Sequence, residues 1–146
     1  MFKWFNSLFR DSDKLPGTDN DDLVVLNSID TDTLPDDLKH MHSKALDYDP
    51  LAIFRLGLSY YNGRGVDQDY DLAYKIMMLL INEDADAEYY MGEICRQGIK
   101  GKPDYAQACC HYAAAMHFGM PQAKVRLKEV ANITGDEFWL TWEDEK

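Results

Sequence analysis

NGRGVDQDY (residues 62–70) and QGIKGKPDY (residues 97–105) follow one pattern: a glycine, a polar turn and an Asp-Tyr pair. The same correspondence continues on both sides at a separation of 98 − 63 = 35 residues. The positions related in this way are Ala52 and Ala87, Gly57 and Gly92, Gly63 and Gly98, Tyr70 and Tyr105, and Ala73 and Ala108. A repeat of this length is typical of stacked supersecondary units.

Each repeat unit predicts two helices. Apolar residues recur every four positions from Ala52 onward, which favours a helix. Gly63 is expected to end this helix, because glycine accepts the left-handed conformation found there. In the second unit, Pro103 fits the first turn of the following helix and Asp104 complements its positive end.

Two glycines fall inside the predicted helices. Gly57 and Gly92 each cost about 1 kcal/mol relative to alanine in a helix interior. We therefore expect the paired helix to approach closely there, with Ala73 and Ala108 facing these glycines. Tyr70 and its counterpart in the second unit are expected to lie between neighbouring units.

The segments AIFRLGLSYYNGRGVDQDYDLAYKIM and AEYYMGEICRQGIKGKPDYAQACCHY resemble Sel-one-like repeats, the helix-pair relatives of the tetratricopeptide repeat. The first unit carries almost the full family pattern of Ala, Leu-Gly, Tyr, Gly, Gly-Val, Asp-Tyr and Ala. The second has Cys95 where an aromatic residue is usual, and its second glycine is shifted to Gly101. The resemblance covers residues 50–120. It implies an all-α fold, a right-handed α-solenoid of antiparallel helix pairs that holds other proteins, and it implies no catalysis.

The sequence outside the resemblance is predicted to extend the array into one domain from residue 21 to residue 146. Residues 21–49 form a degenerate unit whose second helix spans PDDLKHMHSKALDY. The preceding segment, DDLVVLNSI, is predicted as a helix, with a short strand as the alternative. The repeats at 50–84 and 85–120 are followed by a terminal partial unit and cap at 121–146.

The terminal unit differs from the others in ways that suit an end of the array. Lys128 stands where the repeat has its helical glycine, 128 − 92 = 36 residues later. Thr134 and Glu137 have capping-box spacing, and Phe138 and Trp142 share one face of the predicted last helix. This helix is expected to cover the open end of the stack.

The first ten residues, MFKWFNSLFR, predict an amphipathic helix with Phe2, Trp4 and Phe5 on its apolar side. Residues 11–20 are a linker rich in Pro, Gly and Asp. This helix could dock on its own chain, fill a groove of a partner or contact a membrane surface. Docking on its own chain is favoured, and membrane contact is not, because the helix cations face an acidic protein.

Composition limits the function. A formal net charge of −11 argues against nucleic-acid binding, which requires a basic surface, and it favours basic partner proteins. No apolar run approaches the roughly 20 residues of a membrane-spanning helix. Three cysteines, two of them adjacent, argue against a disulfide framework. We expect a cytoplasmic protein.

Cys109, Cys110 and His111, with Cys95 and His117 nearby, invite a metal-binding interpretation. Adjacent helical residues diverge by about 100°, so these side chains do not converge on one point, and packed core cysteines are predicted instead. No nucleophile-elbow or phosphate-loop pattern occurs. We therefore predict no catalytic residues, no metal and no cofactor. A third, competing hypothesis is an enzyme or a metal-binding protein that uses this cysteine–histidine cluster.

The sequence favours a non-catalytic protein–protein interaction module, an adaptor or scaffold that uses the surface of the helical repeats. The candidate contact residues lie mainly on the first helices of the units: Arg55, Ser59, Tyr60, Tyr90, Glu93 and Arg96, with Phe2, Trp4 and Phe5 at the N-terminus. Aromatic residues and arginine are typical interface anchors. The alternative is an immunity or inhibitor protein that binds and neutralises a toxin or effector, since an acidic surface would speed association with a basic target.

Overall fold

Helices account for every regular element in the computed structural model, which describes residues 22–99 and 101–141. Within this part of the chain there are eight α-helices and no β-strand, so the predicted all-α class is confirmed. They are α1 (Asp22–Asn27), α2 (Asp36–Leu46), α3 (Pro50–Asn62), α4 (Tyr70–Met77), α5 (Ala85–Gln97), α6 (Tyr105–His117), α7 (Ala123–Thr134) and α8 (Glu137–Thr141). Short 3-10 helices occur at Thr31–Thr33 and Met78–Leu80.

The segment before the first repeat is helical. The prediction of a helix there is confirmed by α1, and the strand alternative is wrong. Leu26 of α1 is fully buried, and its carbonyl oxygen lies 2.7 Å from Nε2 of the buried His42 on α2. This hydrogen bond and the apolar contacts around Leu26 hold α1 against α2.

Aspartate begins four successive helices, α3 to α6. Each of these carboxylates accepts a hydrogen bond from a backbone N–H in the first helical turn; the four are Asp49, Asp69, Asp84 and Asp104. An N-cap of this kind is worth about 1 kcal/mol. Because Asp104 is the N-cap, Pro103 precedes the helix, and the prediction that it lies in the first turn is wrong.

The helical glycines mark close helix contacts, as predicted. A Cβ added at Gly57 would lie 2.9 Å from Cγ of Met77, and one at Gly92 would lie 2.7 Å from Cε1 of Tyr112. Ala73 faces Gly57 as predicted, since its carbonyl oxygen would lie 3.5 Å from the added Cβ, but the closest side chains at both glycines come from the next turn of the second helix. Met77 and Tyr112 are themselves 112 − 77 = 35 residues apart, so the contact belongs to the repeat.

The helices pack mainly against their neighbours in sequence: α2 on α3, α3 on α4, α5 on α6, α6 on α7 and α7 on α8. The alanines of the repeat are buried in these contacts: Ala52, Ala73, Ala87 and Ala108. Gly63 ends α3 with a φ of +67°, as expected. None of the helices in the described ranges has both the length and the apolar character needed to cross a membrane.

Lys128 takes a different role from the glycine that it replaces. Its Nζ donates hydrogen bonds to the carbonyl oxygens of Trp139 and Leu140, near the end of α8. A cation at the C-terminal end of a helix also interacts favourably with the helix dipole. The Lys128 side chain on α7 thereby holds the short helix α8 in place.

The predicted capping box at Thr134 is wrong. Thr134 is the last residue of α7, which ends at Gly135 with a φ of +68°, and its hydroxyl donates to the Ala131 carbonyl at 3.2 Å. Asp136 caps α8 instead, since its carboxylate accepts from the Phe138 N–H at 3.0 Å.

The buried aromatic residue of α8 also differs from the prediction. Trp139 is only 6% exposed and packs in the core, whereas Phe138 is 44% exposed. Trp142 lies outside the described residues.

Candidate interaction surface

Five partly exposed aromatic side chains form a continuous surface on α3, α5 and the first turn of α4. We call Phe54, Tyr61, Tyr70, Tyr89 and Tyr90 the aromatic strip. Tyr90 is its centre, with ring centroids 5.8 Å from Phe54, 5.2 Å from Tyr61 and 5.7 Å from Tyr89. Tyr70 stacks on Tyr61 at 5.3 Å, so the strip links the two repeat units. Such spacings lie within the range of favourable aromatic pairs.

Two glutamines fix one end of the aromatic strip. The Tyr70 hydroxyl donates to Gln97 Oε1 at 2.7 Å, and Gln97 Nε2 donates to the Tyr61 hydroxyl at 2.8 Å. Gln68 Nε2 donates to the Tyr61 carbonyl at 2.8 Å. Burial raises the pKa of Tyr61, so its hydroxyl stays protonated. The rings are therefore held in place before any partner arrives.

The buried carboxylate of Glu93 anchors two arginines beside the strip. Its Oε1 accepts from the Tyr112 hydroxyl at 2.7 Å and lies 3.1 Å from Arg126 Nε, while Oε2 accepts from Arg96 at 2.8 Å. Burial alone would raise the pKa of Glu93, but the hydrogen bonds from Arg96 and Tyr112 and the charges of both arginines outweigh it and lower the pKa. The two guanidinium groups are thereby positioned on α5 and α7.

The structure separates the predicted contact residues by exposure. Arg55 is exposed, and Tyr90 and Arg96 are partly exposed. Ser59, Tyr60 and Glu93 are buried, so they are not part of the exposed surface. The sequence pattern predicted that these residues lie on the first helix of each repeat unit. It could not predict which side of that helix faces solvent.

The remaining predicted contact residues, Phe2, Trp4 and Phe5, lie outside the described residues. The same holds for the predicted amphipathic helix at 1–10 and the linker at 11–20. The candidate surface is therefore built from α3, α4, α5 and α7 alone.

A polar network lies in the core between the repeat units, and the sequence interpretation missed it. His111 on α6 is 1% exposed and places Nδ1 2.8 Å from Oε2 of Glu88, which is fully buried on α5. Its Nε2 lies 2.9 Å from the Tyr74 hydroxyl on α4. The second Glu88 oxygen accepts from the Asn82 N–H at 2.8 Å. Every polar atom of this Glu–His pair therefore has a partner.

The repeat itself carries a signal for this network. Subtracting 35 from Glu88 and His111 gives Ile53 and Ile76, which are buried at 1% and 0% exposure. One unit thus has two isoleucines where the other has a carboxylate and an imidazole. Two helices can therefore pack with an apolar pair at these positions. Helix packing alone does not require the polar pair of Glu88 and His111.

The cysteine and histidine side chains that suggested a metal site are packed in the core, bonded to other residues or exposed, and do not converge on one point. Cys95 and Cys109 are buried, His111 is bonded to Glu88, and His117 is exposed at the end of α6. Within residues 22–99 and 101–141, no three His, Cys, Asp or Glu side chains are arranged so that they could hold a metal ion. Cys109 packs in an apolar cluster with Leu127 and Trp139.

The three thiols are expected to be unreactive in the folded protein. Burial raises the pKa of Cys95 and Cys109 to about 12 and that of Cys110 to about 11, so at pH 8 nearly all of each thiol is neutral. Because the thiolate is the reactive form, alkylation at pH 8 should be at least about 100-fold slower than in the chain unfolded in urea. Mass spectrometry after timed labelling measures this. Rapid labelling of the native protein would show that the helix packing around these residues is open.

No family model, curated protein or solved structure matched this chain in the three comparisons. Its function therefore has to follow from its own residues and their geometry.

Proposed function

We propose that the helices form a right-handed α-solenoid of antiparallel pairs of the Sel-one-like kind, and that the protein is a non-catalytic protein–protein interaction module. Packing of each helix on the next in sequence, together with the repeated glycine contacts, supports this architecture. The first helices of successive units would then lie side by side and form one continuous binding surface. An adaptor or scaffold in the cytoplasm is the role proposed for it.

The aromatic strip and its flanking arginines are the observation that carries the proposal. Tyrosine and arginine are among the residue types most enriched in the side chains that dominate binding energy. Here the rings contact one another, and Arg96 and Arg126 are bonded to Glu93. A surface that is ordered before binding loses little side-chain entropy when a partner docks.

The buried polar network is not placed to act as the acid and base of an enzyme. Glu88 and His111 have the residue types of an acid–base pair, but their exposures are 0% and 1%. A catalytic acid or base has to reach its substrate within hydrogen-bonding distance. These side chains are enclosed by α4, α5 and α6, and their hydrogen bonds go to other residues of the same core.

The strip makes a direct prediction about partner capture. Tyr90→Ala removes the central ring and should weaken binding of the partner by at least about tenfold, because central aromatic anchors dominate interface energies. The tagged wild-type protein and the variant are used to capture partners from lysate of the source cells, and bound proteins are quantified by mass spectrometry. Lys75→Ala is the matched control, since Lys75 is exposed on α4 and pairs only with the nearby Asp71 in the described structure.

A partner captured equally by the Tyr90→Ala variant, with its melting temperature unchanged, would contradict the proposal. One tightly bound protein in a one-to-one complex, whose toxicity is relieved by co-expression, would favour the inhibitor alternative over an adaptor. Two partners bridged by this protein, with no toxicity, would favour the adaptor.

A further inference from the structure

Four arginines lie in the described part of the chain, and they fall into two pairs. Arg96 and Arg126 form ion pairs with Glu93. In contrast, Arg55 and Arg64 form no side-chain hydrogen bond or ion pair within residues 22–99 and 101–141. Both side chains are exposed, so their guanidinium groups are available to an anionic group of a partner.

Both unpaired arginines line the same cleft between α2 and α3, which has a volume of about 380 Å³. Its apolar lining comes from Leu38 and Met41 on α2 and from Leu58 on α3. A cleft of this size, with apolar walls and a few polar groups, matches the general form of a binding pocket.

The fold fixes the backbone of both arginines. The buried Ser59 connects them, because its hydroxyl donates to the Arg55 carbonyl at 2.9 Å and its own carbonyl accepts from the Arg64 N–H at 2.9 Å. Next to Arg64, the backbone of Gly65 has a φ of +77° and packs on Leu38, where an added Cβ would lie 3.3 Å from Cδ1. The loop is therefore held against α2, and both arginines stay at the cleft.

We propose that this cleft, the Arg55–Arg64 cleft, takes an acidic and apolar segment of the partner protein. A side-chain carboxylate would accept hydrogen bonds from the two guanidinium groups, which match carboxylate geometry. A neighbouring aliphatic or aromatic side chain would pack on Leu38, Met41 and Leu58. This proposal rests on the proposed protein–protein interaction function. It specifies the chemistry of one contact between this protein and its partner.

The charge of the cleft matches a single carboxylate better than a phosphate group. Asp37 lines the same cleft, so a bound anion lies near one negative charge as well as two positive charges. The net charge of these three groups is 2 − 1 = +1, which one carboxylate neutralises, whereas a phosphate group with close to two charges leaves an excess of negative charge in the cleft. At physiological salt the screening length is about 8 Å, so the distant acidic surface has little effect within the cleft.

An NMR titration of the full-length ¹⁵N-labelled protein tests the proposal. The probe is an end-blocked peptide, acetyl-Ala-Glu-Leu-Glu-Ala-amide, with two matched peptides in which glutamine or phosphoserine replaces both glutamates. Saturable shifts are expected around Leu38, Leu58 and Arg64 with the glutamate peptide. The dissociation constant should rise at least about tenfold with the glutamine peptide, and to a similar extent for Arg64→Ala. Lys39→Ala removes one charge from α2 outside the cleft and should change it less than about twofold.

Three results would overturn the proposal: no saturable shifts, equal binding of the glutamine peptide, or tighter binding of the phosphoserine peptide. The captured partner separates this failure from failure of the general function. If Tyr90→Ala loses the partner and Arg64→Ala retains it in full, the cleft is not a contact but the interaction surface stands. If both variants retain it, both proposals are wrong.

Discussion

Replacing Glu88 or His111 by isoleucine is expected to lower the free energy of unfolding by about 3–5 kcal/mol. Either change leaves one member of a buried polar pair without its partner, and an unpaired buried charge or hydrogen-bonding group is costly. The partners are 2.8 Å apart and almost fully buried, so water cannot replace the missing group. Urea unfolding followed by circular dichroism measures the loss.

The double variant Glu88→Ile/His111→Ile is expected to recover most of that loss. Isoleucines already occupy the equivalent buried positions, Ile53 and Ile76, in the other unit. Replacing a buried ionic pair by apolar residues of similar volume is often neutral or stabilising. A small deficit should persist, because the Asn82 N–H loses its acceptor and the Tyr74 hydroxyl loses its hydrogen bond with the ring of His111.

A double-mutant cycle decides whether the two residues act as a pair. If the losses of the two single variants simply add in the double variant, Glu88 and His111 are not coupled and the interpretation is wrong. Lys75→Ala serves as the control, since it breaks an exposed ion pair with Asp71 and should leave the unfolding curve unchanged.

The second large effect is expected at Gly92. Gly92→Ala should lower the free energy of unfolding by about 1–3 kcal/mol, although alanine is the better helix former. The new Cβ would lie 2.7 Å from Cε1 of Tyr112, whose ring is fully buried and whose hydroxyl is bonded to Glu93 at 2.7 Å. The ring therefore cannot move aside easily.

Gly57→Ala is the matched comparison and should cost much less. Its Cβ would meet Cγ of Met77 at 2.9 Å, and a methionine side chain can change rotamer to relieve the contact. The gain in helix propensity of about 1 kcal/mol then offsets much of the strain. Thermal unfolding of both variants measures the difference. Equal melting temperatures for Gly92→Ala and the wild type would mean that α5 and α6 are not in close contact there.

The sequence predicted the elements of this fold well because the repeat and the capping residues are local signals. The helices, the glycine stop at Gly63 and the acidic helix starts all follow from residues a few positions apart. The errors lie where two local signals compete. Thr134 has the spacing of a capping box, but Gly135 ends the preceding helix and Asp136 is the better placed cap.

The candidate site was less predictable, because it depends on contacts between helices. A period of about four residues identifies the apolar side of α3 and α5, yet it cannot tell whether Tyr60 or Tyr61 meets solvent. Glu88 and His111 are 23 residues apart on different helices, and no local pattern joins them. Comparison of the two units would have found them, since both positions change from isoleucine to a polar residue together.

The Glu88–His111 pair also distinguishes two otherwise similar helix pairs while the chain folds. Exchange of partners between the units would place the carboxylate of α5 against Ile76 of α4, and the imidazole of α6 against Ile53 of α3. Each of these misassembled cores would contain a buried polar group with no partner, at a cost of several kcal/mol. Neighbouring repeats of similar sequence are prone to this kind of misassembly. Here one polar pair in one unit gives each helix a single low-energy partner.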